Sequence, residues 1–119
     1  MTILIVEDDA DCRRMLAATI QACGIKVVDP YHWQDALHII DYADAILCDG
    51  LEGCWLEVFA LAAKYDKPFI LLSGDGRQIE AARNLGVRAY LKPHSIREIL
   101  GELGCTGPAE PMADATGEP

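Results

Sequence analysis

Short aliphatic segments alternate with amphipathic helical segments along most of this chain, and this alternation restricts the fold more than any other feature. Each segment holds four or five residues, mostly Ile, Leu and Val, as is typical of strands that are buried on both faces. Five such strands that alternate with five helices predict an α/β protein with one parallel sheet and helices on both faces. The predicted strands are 3–6, 25–28, 45–48, 69–72 and 87–91.

The helical segments are predicted from apolar residues at a spacing of three or four. The segment 33–42 is interpreted as one helix. Another helix runs to about Lys64, and Ser95 with Glu98 predicts a capping box at the start of the last helix. The residues predicted to face the core in the helix before Lys64 are Leu56, Phe59, Ala60 and Ala63.

The length of 119 residues fits a single domain, which we assign to residues 1–104. Beyond that point the helical and strand patterns stop. The segment 105–119 contains three prolines, two glycines, three acids and no aromatic residue. It is therefore predicted to be a disordered tail.

Charge and cysteine usage exclude several classes of function. The net charge is −9, which argues against nucleic acid as a partner, because binding a phosphate backbone needs Lys and Arg. No apolar run is long enough to span a bilayer, and the start of the chain lacks the pattern of a signal peptide. The five cysteines show no CxxC or paired Cys/His spacing, so free thiols in a cytoplasmic protein are expected.

Polar residues follow four of the five strands at their carboxyl ends. Because those ends share one edge of a parallel sheet, the side chains should converge there. Acids crowded together either bind a hard cation such as Mg²⁺ or complement the dipole of a helix start. The converging residues are Glu7, Asp8, Asp49, Ser73 and Lys92.

This set of residues resembles the receiver domain of two-component response regulators over residues 2 to about 103. The resemblance implies a flavodoxin-like, doubly wound sheet of five strands in the order 2-1-3-4-5 with five helices. It makes Asp49 the phosphoacceptor, with Ser73 and Lys92 holding phosphoryl oxygens, and it implies a cis peptide bond before Pro93. Mg²⁺ would be held by Glu7 through a water, by Asp8 and Asp49, and by the backbone carbonyl of Leu51. Because the acidic pair of the family directly follows the first strand, the resemblance leaves Asp9 to the helix start, where it caps the helix or complements its dipole.

The chain departs from the receiver pattern in three places. The loop 49–53 after the acceptor is short, which puts the Leu51 ligand in doubt. The interval from Ser73 to Lys92 is also short. Tyr90 lies one residue closer to Lys92 than the aromatic switch residue of the family, so strand alternation places it on the opposite face unless a bulge restores the register.

By this resemblance the chain is a single-domain receiver rather than a conventional enzyme, since it would catalyse only its own phosphorylation and dephosphorylation. Its partners would be a sensor histidine kinase or phosphotransfer protein and a downstream protein target, with neither nucleic acid nor membrane involved. A degenerate receiver that binds proteins independently of phosphorylation is the alternative. A phosphatase of the haloacid-dehalogenase type would need an Asp-x-Asp motif, and Asp9-x-Asp11 comes one turn too late for it.

Overall fold

The structure, a computed structural model, describes residues 1–92 and 96–102. Three predictions lie wholly or partly outside these residues. They are the cis bond before Pro93, the capping box that begins at Ser95, and the tail 105–119. Within the described residues, no helix is both long enough and apolar enough to cross a membrane.

The predicted parallel sheet is confirmed. All four strand pairs are parallel, and the strands lie in the order β2-β1-β3-β4-β5. β1 and β3 therefore lie side by side at the centre, and their carboxyl ends carry the acids. The strands are β1 (Thr2–Val6), β2 (Lys26–Val28), β3 (Ala45–Asp49), β4 (Phe69–Ser73) and β5 (Arg88–Leu91).

Helical segments cover both faces of the sheet. The α-helices are α1 (Ala10–Ala22), α2 (Trp55–Lys64), α3 (Gly76–Asn84) and α4 (Ile96–Glu102). One apolar cluster packs between the sheet and α2 and α3, and a second packs between the sheet and α1 and α4. The two clusters fix the strands from both sides, so the edge that carries the polar residues is held by a rigid frame.

The helical segment between β2 and β3 differs from the prediction of one helix over 33–42. It consists of two 3₁₀-helices, Trp33–His38 and Ile40–Tyr42, separated at Ile39. Neither 3₁₀-helix has a side-chain hydrogen bond at its N-cap, and two β-branched isoleucines stand in the middle of the segment. Both features disfavour a continuous α-helix.

The predicted inner face of α2 is wrong by about one residue. Leu56, Ala60 and Ala63 are exposed, whereas Trp55, Val58 and Ala62 are buried. The Trp55 ring packs near the rings of Phe59 and Phe69, with centroid distances of 6.3 and 6.4 Å. The largest apolar side chain of the helix thus takes the core position, because it gains most from leaving water.

The expectation of free thiols holds for the four cysteines within the described residues. Cys23 and Cys48 are buried, and Cys12 and Cys54 are partly buried. Cys105 lies outside the described residues.

Asp9 caps the N-terminus of α1, as predicted. Its carboxylate accepts hydrogen bonds from the backbone N–H groups of Asp11 and Cys12 at 2.9 and 3.1 Å. The bond from Cys12 is the main cause that lowers the pKa of Asp9 from its ordinary value of 3.8. Asp9 therefore belongs to the helix rather than to the acidic cluster.

We expect Asp9→Ala to lower the midpoint of thermal unfolding by a few degrees at neutral pH, because two backbone donors lose their acceptor. Asp9→Asn should stay close to the wild type, since Asn caps about as well as Asp. A lowered folded-state pKa stabilises the protein above pH 3.8 and loses this effect as the pH falls below it. The difference between wild type and Asp9→Ala in circular dichroism melts should therefore shrink below about pH 3.8. Equal melts at neutral pH would contradict the capping role.

Candidate functional site

The carboxyl edge of the sheet brings together the side chains that the sequence singled out. Glu7 directly follows β1, and Asp49 is the last residue of β3. Ser73 ends β4, and Lys92 follows β5. Glu7 and Ser73 are buried, with 2% and 3% of their surface exposed. These four positions come from distant parts of the chain, and the order of the strands is what joins them.

Lys92 bridges two of the acids. Its Nζ donates to Oε1 of Glu7 and to Oδ1 of Asp49, both at 2.8 Å. Burial lowers the pKa of Lys92, but the hydrogen bonds that its ammonium donates to Asp49 and Glu7 outweigh this effect, so the pKa is raised overall. The ammonium therefore stays charged at any physiological pH and holds both carboxylates.

Asp8 completes a group of three carboxylates. Ligand oxygens of Glu7, Asp8 and Asp49 all lie within 4.8 Å of one another. Asp8 is exposed, whereas Glu7 is buried and also accepts the N–H of Asp9 at 3.2 Å. One ammonium beside three carboxylates leaves a surplus of negative charge. Oxygen ligands with surplus negative charge fit a hard divalent cation.

The thiol of Cys12 adds no charge to this group. It lies 3.6 Å from Nζ of Lys92. Burial, together with a hydrogen bond to the Glu7 carboxylate, raises the pKa of Cys12 to about 11. The thiol is thus protonated at neutral pH, and the carboxylates alone determine the negative charge of the site.

The shortened loop after Asp49 turns sharply into α2. Leu51 and Glu52 both take left-handed backbone conformations, with φ angles of 51° and 53°. The N–H of Leu51 donates to Oδ2 of Asp49 at 3.2 Å. Its carbonyl oxygen already accepts the N–H of Cys54 at 3.0 Å. A metal ion at this carbonyl would have to share it with Cys54, so the Leu51 ligand remains a prediction.

Ser73 is held by a residue that the sequence analysis did not identify. Its Oγ donates to Oε1 of Gln78 at 2.6 Å and accepts the N–H of Asp75 at 3.0 Å. The carboxamide of Gln78 lies against the backbone of Gly50. A methyl group added to Gly50 would overlap Oε1 of Gln78 and lie 2.7 Å from its Cδ. The absence of a side chain after Asp49 was the one sequence signal of this close approach.

Tyr90 lies on the opposite face of the sheet from Ala89, which holds the place of the family's switch residue, as strand alternation predicted. Ala89 packs in the cluster beneath α2 and α3, and Tyr90 packs against the cluster beneath α1 and α4. The hydroxyl of Tyr90 bonds to the carboxylate of Glu102 in α4. No bulge restores the register, so the ring of Tyr90 does not lie beside Ser73.

Arg13 is a second residue that the sequence analysis missed, because an arginine within an amphipathic helix is normally exposed. It is only 6% exposed. Its guanidinium donates to the carbonyl oxygens of Glu7 and Tyr31 and lies over the Tyr31 ring. Arg13 and Asp8 line part of a cavity of about 340 Å³ beside the acidic group. Arg13 thereby ties the segment that carries Glu7 to the segment after β2.

Comparison with known proteins places this fold among solved receiver domains. A response regulator receiver protein from Burkholderia phymatum is similar, with a TM-score of 0.74 and 26% identity, over 90% of this chain and 98% of that one. This likeness agrees with the predicted architecture. The chain has the fold of a receiver domain.

Two further structures show how far this likeness extends. A response regulator from Burkholderia pseudomallei, solved with a phosphorylated aspartic acid, a calcium ion and citrate, has a TM-score of 0.71 and 22% identity. The match covers 86% of this chain and 65% of that one. A designed Rossmann 2x3 protein matches at a TM-score of 0.73 with 14% identity, over 85% and 89% of the two chains. The same fold thus occurs without a natural function, so function must be argued from the site.

Sequence comparison adds nothing to this likeness. No family model matches the chain. No curated protein matches it either.

Proposed function

We propose that the chain is a single-domain response regulator receiver that accepts a phosphoryl group on Asp49. The observation that carries the proposal is the position of Lys92, whose Nζ bonds to both Glu7 and Asp49 at the carboxyl edge of the sheet. An acceptor carboxylate, two further acids and a fixed ammonium are the groups that phosphoryl transfer to a carboxylate requires.

The transfer would proceed by direct displacement. An oxygen of Asp49 forms a bond to phosphorus, and the bond from phosphorus to the leaving group breaks. With a phosphohistidine donor, the imidazole nitrogen leaves with the bonding electron pair and takes a proton from solvent. Removal of the phosphoryl group is a separate hydrolysis, in which water attacks phosphorus, the bond from phosphorus to the Asp49 oxygen breaks, and the carboxylate is regenerated as inorganic phosphate is released. While Asp49 is phosphorylated, Lys92 would bind a phosphoryl oxygen in addition to Glu7.

Glu7, Asp8 and Asp49 would hold Mg²⁺. The cation would supply positive charge that lets a phosphoryl group approach three carboxylates and that neutralises charge during transfer. Their carboxylates lie close enough together to share one ion. The phosphoaspartate and calcium ion of the Burkholderia pseudomallei structure support this assignment.

The phosphoryl donor would be a sensor histidine kinase or a phosphotransfer protein, and the output would be a contact with a downstream protein. The described residues make up one domain. The net charge of −9 favours protein partners over nucleic acid. A cytoplasmic location follows from this role.

The proposal is tested by incubating the wild type with acetyl phosphate, with Mg²⁺ or with EDTA, and measuring the phosphoprotein by mass spectrometry. We expect phosphorylation with Mg²⁺ and almost none with EDTA, because the three carboxylates then repel the donor. Absence of phosphoprotein at every Mg²⁺ concentration would contradict the proposal. It would favour the alternative, a binding module that is insensitive to phosphorylation.

A further inference from the structure

Gln78 holds the hydroxyl that the proposed function needs. A serine hydroxyl has one proton to donate, and that of Ser73 is directed at Oε1 of Gln78 at 2.6 Å. The other contact of Oγ, with the N–H of Asp75, uses it as an acceptor. A phosphoryl oxygen on Asp49 that bound this hydroxyl would therefore compete with the carboxamide of Gln78 for the same proton.

The carboxamide of Gln78 also lies against the backbone beside Asp49, the proposed phosphoacceptor. Gln78 is half-buried and lies against Gly50, the residue next to Asp49. Gly50 has an ordinary right-handed helical φ of −63°, so the backbone conformation does not require glycine here. Glycine leaves space for the end of the Gln78 side chain, which a methyl group at this position would displace. Gly50 and Gln78 thus pack closely against each other beside Asp49.

The outcome of the competition follows from charge. Hydrogen bonds to an ionised acceptor are roughly twice as strong as those between neutral groups. A phosphoryl oxygen would therefore take the Ser73 proton from the neutral carboxamide. Gln78 lies in the first turn of α3, at the third residue of Gly76–Asn84. Loss of its bond to Ser73 would free its side chain beside Gly50 and change the surface at the start of α3.

We propose that Gln78 is a positioning residue that withholds the Ser73 hydroxyl until Asp49 is phosphorylated, and that the exchange of this hydrogen bond is the switch of this receiver. The inference rests on the proposed function. It supplies a signalling route that needs no aromatic ring, in a chain where Tyr90 lies on the other face of the sheet from Ser73.

Two different substitutions should remove the same restraint. Gln78→Met keeps the size of the side chain but deletes the acceptor. Gly50→Ala leaves Gln78 in the chain but displaces its carboxamide, at little cost because the end of a flexible side chain can move. Glu80→Gln is the matched control, since Glu80 is exposed in the same helix.

Beryllium trifluoride stands in for the phosphoryl group, and the measurement is the affinity of each variant for it in the presence of Mg²⁺. We expect Gln78→Met to bind about fivefold more tightly than the wild type, the factor that one neutral hydrogen bond contributes. Gly50→Ala should shift in the same direction, the double variant should gain no more than either single one, and Glu80→Gln should not change. In a Ser73→Ala background the gain should vanish. Equal affinities of wild type, Gln78→Met and Gly50→Ala would overturn the inference.

A direct readout separates this inference from the proposed function. The side-chain amide resonances of Gln78 should shift when beryllium trifluoride and Mg²⁺ bind to the wild type. Binding that leaves these resonances unchanged would overturn the role of Gln78 and leave the receiver function standing. Failure of the wild type to bind at all would contradict the proposed function itself, and with it this inference.

Discussion

Asp49→Asn is expected to abolish phosphorylation of the chain by acetyl phosphate and Mg²⁺ while leaving the fold intact. An amide has no negative charge and no nucleophilic oxygen of comparable strength, so no bond to phosphorus forms. The side chain keeps its size, and its oxygen can still accept a hydrogen bond from Nζ of Lys92, which now lies 2.8 Å from Oδ1. Mass spectrometry should therefore detect no phosphoprotein in this variant.

The control is the same chemical change at an exposed position. Asp41 lies in the 3₁₀-helix Ile40–Tyr42 and is exposed, so Asp41→Asn should be phosphorylated like the wild type. Circular dichroism should show both variants folded. Phosphorylation of Asp49→Asn to the wild-type extent would move the acceptor to another carboxylate, of which Asp8 and Glu7 are the nearest.

The sequence predicted the meeting of Glu7, Asp49, Ser73 and Lys92 because parallel strands have a fixed geometry. Every strand that follows a crossover helix runs in the same direction, so residues that end such strands share an edge however far apart they are in the chain. The fold follows from the same argument, since alternating buried strands and helices permit few topologies. The residues that share this edge could therefore be predicted from the ends of the strands alone.

The parts that the sequence did not predict depend on packing between side chains. The face of α2 was wrong because periodicity gives the spacing of apolar residues and does not decide between Trp55 and Leu56 for the core. Gln78 was missed because its contact with Ser73 depends on where α3 begins after a short loop. Arg13 was missed because its hydrogen-bond partners are backbone carbonyls, which leave no mark in the side-chain pattern.

The loop after Asp49 was correctly predicted to be short, but its consequence was visible only in the structure. In this short loop Leu51 and Glu52 take left-handed conformations, which cost of order 1–3 kcal/mol each for residues other than glycine. The same turn directs the N–H of Leu51 at Asp49 and commits its carbonyl to Cys54. A sequence pattern gives the length of such a loop but not the direction of its carbonyl groups.

Lys92→Met is expected to destabilise the protein by about 2 kcal/mol in the absence of metal, less than the 3–5 kcal/mol of a fully buried pair. The expected loss of stability is smaller because the side chains of Lys92 and Asp49 are partly exposed, at 28% and 17%. The substitution keeps an apolar stem of similar length and removes the only described ion-pair partner of Glu7, which is 2% exposed. The buried carboxylate and its two neighbours are then left without a cation.

The pH and metal dependence of this effect separate charge from packing. A raised folded-state pKa means that Lys92 stabilises the fold below its ordinary pKa of 10.5 and ceases to do so only as the pH rises through the higher folded value. The difference from the wild type in urea unfolding should thus stay constant from pH 7 to about 10. Lys26→Met, at an exposed position of β2, should have little effect. Mg²⁺ should stabilise Lys92→Met more than the wild type, because the ion replaces the missing positive charge and binds only the folded state. A Lys92→Met protein as stable as the wild type in EDTA would show that the ammonium does not hold the carboxylates together.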